Sequence, residues 1–379
     1  MITREQALNL LDSLKALDSG FTNEHQPYRW SQAMESVVDG VTMAYPDYVS
    51  DKEVALALIS MGENFSFHDC NALAPELFQD REVALAIVRS RAHSGVFASK
   101  PERLQPFLQD SEVLHGALIA QGSLYQSLPD EMRADRGLAC LAVGNGGLSM
   151  EKLEEPLKKD RTVVLQAIEK NPLNLKFADK SFRAETDMAL EAVLALSKKE
   201  SPDLKHFFNE CVSRSLRNNK DFMVRATLLI PDCFRYAFAA LRQDPDLMRA
   251  YAKGGGRVFH DKLTPEMAND PALMLDLIKT AKEPMDPFNS IGTALQDDKD
   301  FALATVGLVE YSVIRFSQRL QDDVDVVRAA VAHNPQNLSF ASFRIQNDPA
   351  LLEEPASPPP VQRHVKPAQK KKKVKRQER

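Results

Sequence analysis

Cysteine and tryptophan are scarce in this chain, and long apolar runs are absent. Four cysteines, Cys70, Cys140, Cys211 and Cys233, occur among 379 residues with no CxxC pair, which argues against a disulfide frame or a zinc knuckle and for a reducing compartment. No stretch reaches the roughly 18 apolar residues of a membrane span, and the first turns, MITREQALNLLDSLKAL, carry charges where a secretory signal has an apolar run. A soluble, cytoplasmic protein is therefore expected. HExxH, GxSxG, GxGxxG, phosphate-loop and EF-hand signatures are also missing. The sequence assigns no catalytic, metal-binding or cofactor-binding residue and implies no cofactor.

What the chain does contain is repetition. The stretch DRTVVLQAIEKNPLNLKFADKSF (160–182) returns as DVDVVRAAVAHNPQNLSFASF (323–343), with Asn-Pro-x-Asn-Leu-x-Phe-Ala at the same distance from an aspartate. Aligned cap residues then run through Asp51, Asp80, Asp110, Asp135, Asp160, Glu185, Asn219, Asp244, Asp270, Asp298, Asp323 and Asp348, at a modal interval of 25 residues. Three and four residues after every cap the column is wholly apolar, from Val54 and Ala55 to Leu351 and Leu352. Offsets 3, 4, 7 and 8 make one stripe of a 3.6-residue helix.

The caps have a physical reason. Aspartate accepts hydrogen bonds from unpaired first-turn N–H groups and suits the positive end of the helix dipole, and Pro245, Pro271 and Pro349 stand where a missing donor costs nothing. Asn171-Pro172, Asn334-Pro335, Gly144–Gly147 and Gly254–Gly256 supply the stops. A shorter segment follows, with Phe97, Phe177 and Phe340 seventeen residues past the cap and Phe67 and Phe259 near that offset, and with Ser99, Asp179 and Ser342 placed to cap it. Each unit reads as a helix of about twelve residues plus a short return helix, with the phenylalanines as core anchors. Such a unit is too small to bury its own face, so about twelve of them must stack, and the expected fold is an all-α solenoid.

The expected organisation is an N-terminal helical cap over 1–50, a repeat array over 51–354 and a disordered basic tail over 355–379. In the cap, Thr3 and Gln6 fit a capping box, a break falls at Ser19-Gly20, a second helix covers Ser31–Ala44, and Trp30 anchors this region on the first repeat. One interval is nine residues too long and marks an inserted turn or a kink near 197–218. The tail holds nine Lys or Arg against one acid, a net of +8, which leaves the rest of the chain at −13.

Two clusters invite chemistry. Phe67-His68-Asp69-Cys70 places imidazole, carboxylate and thiol together, but Phe259-His260-Asp261 repeats the pattern without the thiol, which favours a recurring loop. Lys253-Gly254-Gly255-Gly256-Arg257 resembles a phosphate cradle yet fits a helix stop better. In the tail, Lys370, Lys371, Lys372, Lys373, Lys375 and Arg376 have the charge density that binds nucleic-acid phosphate by counterion release. They also fit a nuclear-localisation signal, or a segment that docks on the acidic body.

The quoted units resemble the repeats of the bacterial family called domain of unknown function 4116, most closely over 135–185 and 298–350 and more weakly over 51–134. The chain departs from that family in having Asn-Pro where Asn-Gly is frequent. The resemblance implies no activity and no site residues; the family's occurrence in intracellular bacteria implies a delivered effector, for which the host nucleus is a destination. The functional expectation is a non-catalytic scaffold that binds a protein partner, with nucleic acid or another polyanion at the tail and no membrane. The alternative is an enzyme or toxin whose site is assembled across several repeats.

Overall fold

The computed structural model describes residues 1–20, 27–90, 92–93 and 95–348, with side chains left out at 18–20 and 27–31. The side chain of Trp30, the helix expected after Asp348, and Lys370, Lys371, Lys372, Lys373, Lys375 and Arg376 lie outside the described residues. Among the described residues every regular element is helical, with no strand, and the chain divides into two units, Met1–Phe238 and Ala239–Arg379.

In the first unit, α1 (Arg4–Gly20) and α2 (Pro27–Ala44) precede a row of capped helices. These are α3 (Lys52–Ser60), α4 (Arg81–Arg89), α5 (Ser111–Ala120), α6 (Arg136–Gly144), α7 (Arg161–Lys170), α8 (Thr186–Ser197) and α9 (Lys220–Leu229). From α3 onward each packs on the next, and α1 packs on α3. The second unit has α10 (Pro245–Gly254), α11 (Pro271–Thr280), α12 (Lys299–Thr305) and α13 (Val324–His333), again packed in succession.

Local chemistry explains these elements. The capping box forms, with the Thr3 N–H donating to Gln6 Oε1 at 2.9 Å and the Gln6 N–H to Thr3 Oγ1 at 3.3 Å. Asp51, Asp80, Asp110, Asp160, Asp270 and Asp323 each accept from two first-turn N–H groups. The buried residues of α7 are Val163, Val164, Ala167 and Ile168, and those of α11 are Leu273, Met274, Leu277 and Ile278, at the offsets the apolar columns require.

Several expectations are corrected. Nine of the eleven helices α3–α13 run nine or ten residues before a stop, α8 reaches 12 and α12 only 7. Glu185 makes no side-chain cap, because its carboxylate is turned to Arg161. The return segment is two pieces: a 3-10 helix such as Pro172–Phe177, whose first residue lacks a donor, then a helix of four or five residues such as Lys180–Ala184. Asp179 and Ser342 cap such helices, whereas Ser99 ends one and donates its hydroxyl to Val96 O and Asn71 Oδ1. The helix before the first repeat starts at Pro27, ahead of the expected Ser31. Of the phenylalanine column only Phe97 is buried; Phe177 and Phe340 are half-buried and Phe67 is exposed. Lys176 lies 4.8 Å over the Phe177 ring, so the ring faces a cation and water as well as the core.

The overlong interval holds a helix, Leu204–Glu210, capped by Asp203. It buries Phe207 and Phe208, and the Phe208 ring stacks on Tyr236 at 4.6 Å. It is an inserted packing element.

Neighbouring repeats are tied by polar links as well as by apolar faces. The return-helix N–H groups of Asp179, Ser317 and Ser342 donate to Lys158 O, Gln296 O and Gln321 O, each in the preceding repeat, at 3.1, 2.7 and 2.9 Å. The two clear Asn-Pro-x-Asn motifs add a buried link. Asn174 Nδ2 donates to Ala167 O at 3.1 Å while its Oδ1 accepts from Met150 N at 3.2 Å. Asn337 donates to Ala330 O and Glu310 O at 3.1 and 2.8 Å and accepts from Val313 N at 3.3 Å.

Candidate functional site: a groove between capped helices

Where the residue after a cap is basic, it builds a polar edge to the helix row. Arg4 reaches Asp51, Lys52 reaches Asp80 and Glu82, and Arg81 reaches Asp110 and Glu112, all within 3.0 Å. Arg136 continues to Asp160 and Arg161 to Glu185, and Lys299 to Asp323 repeats the pattern in the second unit. The Arg81 guanidinium, with the Val113 N–H, holds the Asp110 carboxyl below its ordinary range, and the Lys52 ammonium does the same for Asp80. The apolar columns do not contain this ladder; the recurring Lys or Arg one residue after several of the caps, at Lys52, Arg81, Arg136, Arg161 and Lys299, was the available signal.

The residues singled out for chemistry do not converge. His68 is almost fully exposed and lies 3.9 Å from Asp69, while Cys70 is buried and desolvation pushes its thiol up to about 12. Asp69 receives the Ser66 hydroxyl as part of a helix cap. Among the described residues no group of three His, Cys, Asp or Glu could hold a metal ion. Gly255, at φ +99°, ends α10 in the left-handed region, and Arg257 is bound to the buried Asp286 by two hydrogen bonds of 2.8 and 3.1 Å. The left-handed glycine makes the segment a helix stop, and the pairing occupies the arginine that a phosphate would need.

A buried polar group went unread in the sequence. His93 Nε2 donates to Phe65 O at 2.9 Å, so Nδ1, 2.8 Å from Ser90 Oγ, accepts the serine proton. Burial holds this imidazole below its ordinary value, partly opposed by the Phe65 bond. The native state then binds fewer protons than the unfolded chain. Its share of stability is intact above the unfolded value of about 6.5 and is lost as pH falls from there toward the lower folded value. Urea midpoints are expected to drop between pH 7.5 and 5.5, and His93→Gln to flatten that drop; an unchanged slope would contradict the assignment.

On the solvent side of the helix row, grooves open between successive helices. The α3/α4 groove, about 380 Å³, has Leu56, Ile59 and Ala86 in its lining with Arg89 and Glu63. The α7/α8 groove, about 450 Å³, is floored by Leu165, Ile168, Leu194 and Ala195. Its walls carry Arg161 and Glu169 from α7, Asp187 and Glu191 from α8, and Lys198 just past the end of α8. Leu194 is 39% exposed.

These elements define an all-helical protein of repeated, capped helices, and among the described residues no helix is long and apolar enough to cross a membrane. The model of the family described as Domain of unknown function (DUF4116) matches residues 160–195, which span α7, its return segment and most of α8, and so both walls of the larger groove. No curated protein and no solved structure matches the chain.

Proposed function

We propose that the protein is a non-catalytic helical-repeat scaffold of the solenoid type, which binds a protein partner along the grooved side of its capped helices. The observation that carries this reading is the open α7/α8 groove, with an apolar floor and charged walls. Ionisable groups are spread along the row in ladder pairs, as an extended recognition surface requires and an enclosed reaction site does not. The basic segment 370–376 adds contact with nucleic acid or another polyanion, and a delivered effector would use the same segment for nuclear import.

The segment is tested by changing Lys370–Lys373, Lys375 and Arg376 together to glutamine in the full chain. Binding of double-stranded DNA should weaken, and the slope of log K against log salt should flatten by up to about 5, close to 0.9 per phosphate contact removed. Equal affinity and equal slope for both proteins would reject the polyanion reading. Cross-linking of a captured partner to lysines around α7 and α8, such as Lys198, tests the scaffold reading.

A further inference from the structure

The grooves repeat, but their charges do not. Nine residues after the cap stand Ser60, Arg89, Ile119, Gly144, Glu169, Leu194 and Leu228 in the first unit. This position faces solvent, so its variety is not a packing requirement. In the α3/α4 groove Arg89 is engaged by Glu112 of the next repeat. In the α7/α8 groove Arg161 is likewise engaged by Glu185, and Asp187 lies 3.7 Å from Arg225. Glu169 and Glu191 have no ion-pair partner among the described residues, and both line the groove. Leu165 and Glu169 lie four residues apart on α7, and Glu191 and Leu194 three apart on α8, so each wall presents one leucine beside one carboxylate.

We propose that this groove docks an extended, lysine- or arginine-rich segment of a partner protein carrying one aliphatic side chain between its cations. The aliphatic group lies over the floor at Leu165 and Leu194, and the flanking cations meet Glu169 and Glu191. This deepens the scaffold reading and rests on it. Division of labour follows from physical chemistry. Exposed ion pairs are individually weak and screened by salt, so the two carboxylates set register, association rate and the salt-dependent part of the affinity, and removal of the exposed leucine from water supplies the salt-independent part. Arg161 does not oppose a cationic ligand, because Glu185 already neutralises it, which leaves Lys198 at the far end of α8 as the one cation of the lining without an ion pair among the described residues.

The test is fluorescence anisotropy with a labelled heptapeptide of sequence KRKVKRK as probe, which does not occur in this chain. The receptor is the full chain with its own Lys370–Lys373, Lys375 and Arg376 changed to glutamine, so that these residues do not compete. Glu169→Gln with Glu191→Gln should weaken binding about 10-fold at low salt, and much less at high salt. Leu194→Asn and a probe with glycine in place of valine should each weaken it about 5-fold at both salt concentrations. Glu82→Gln, on the ladder outside the groove, should leave it unchanged, and circular dichroism confirms that each variant folds. Equal affinity for the valine and glycine probes, or no effect of the double glutamine variant, overturns the proposal. Binding that persists with that insensitivity overturns the groove alone and leaves the scaffold reading standing; preference for an acidic probe overturns the charge assignment. Absence of both peptide binding and partner cross-links around α8 removes the scaffold reading as well.

Discussion

Asn337→Leu is expected to cost about 2–3 kcal/mol, because it leaves the buried Val313 donor without a partner, worth roughly 1–3 kcal/mol, and also takes a bond from a part-buried acceptor. The Val313 N–H loses its bond to Oδ1 and Glu310 O loses its bond from Nδ2. Leucine preserves volume, so the loss reports the hydrogen bonds more than a cavity. Asn174→Leu should cost somewhat less: Met150 N is orphaned, but Ala167 O keeps the Asn171 N–H at 3.0 Å. The internal control is the first asparagine of each motif. Asn334 and Asn171 cap only the following 3-10 turn, and alanine there should cost about 1 kcal/mol. Urea unfolding followed at 222 nm measures all four variants, and equal losses for Asn337→Leu and Asn334→Ala would show that the buried link carries no special weight.

Gly122→Ala should be as damaging for a different reason. A Cβ at this position would lie 2.2 Å from Ala142 O and 3.1 Å from Gly147 C, both backbone atoms of the next repeat, so no side-chain rotation relieves the clash. The two repeats must separate, at a cost of about 3 kcal/mol, the upper part of the overpacking range. Gly147→Ala meets Gly122 N at 2.8 Å and should behave alike. Gly40, inside α2, has nothing within 4 Å, and alanine there should stabilise by about 0.5–1 kcal/mol. A thermal or urea series in which all three substitutions shift stability in the same direction would exclude this account of close backbone approach.

The helices were legible in the sequence because most are specified by neighbours in the chain: an aspartate three residues before an apolar pair, and Asn-Pro or glycine nine to eleven residues on. Phe177 and Phe340 were misjudged because they end a 3-10 turn, where Lys176 shares the cover of Phe177 with the core. Leu175, two residues earlier, is the buried side chain. The second asparagine of the motif was visible as a repeated letter, but its role depends on Met150 and Glu310, 24 and 27 residues away, which periodicity does not place. The groove was illegible for a similar reason. Its two walls come from separate helices, and their facing residues occupy columns whose composition varies.

The polar links between repeats carry a mechanical consequence. Every one of them reaches only to the adjacent copy, whether it is a backbone bond such as Ser342 to Gln321, a ladder pair such as Lys52 to Asp80, or an asparagine bridge. Load applied along a row of helices is therefore shared by bonds of short reach that can open and re-form one junction at a time. Such a row yields in steps the size of a single repeat, so a pulling experiment should record a sawtooth of small, similar extensions within each unit.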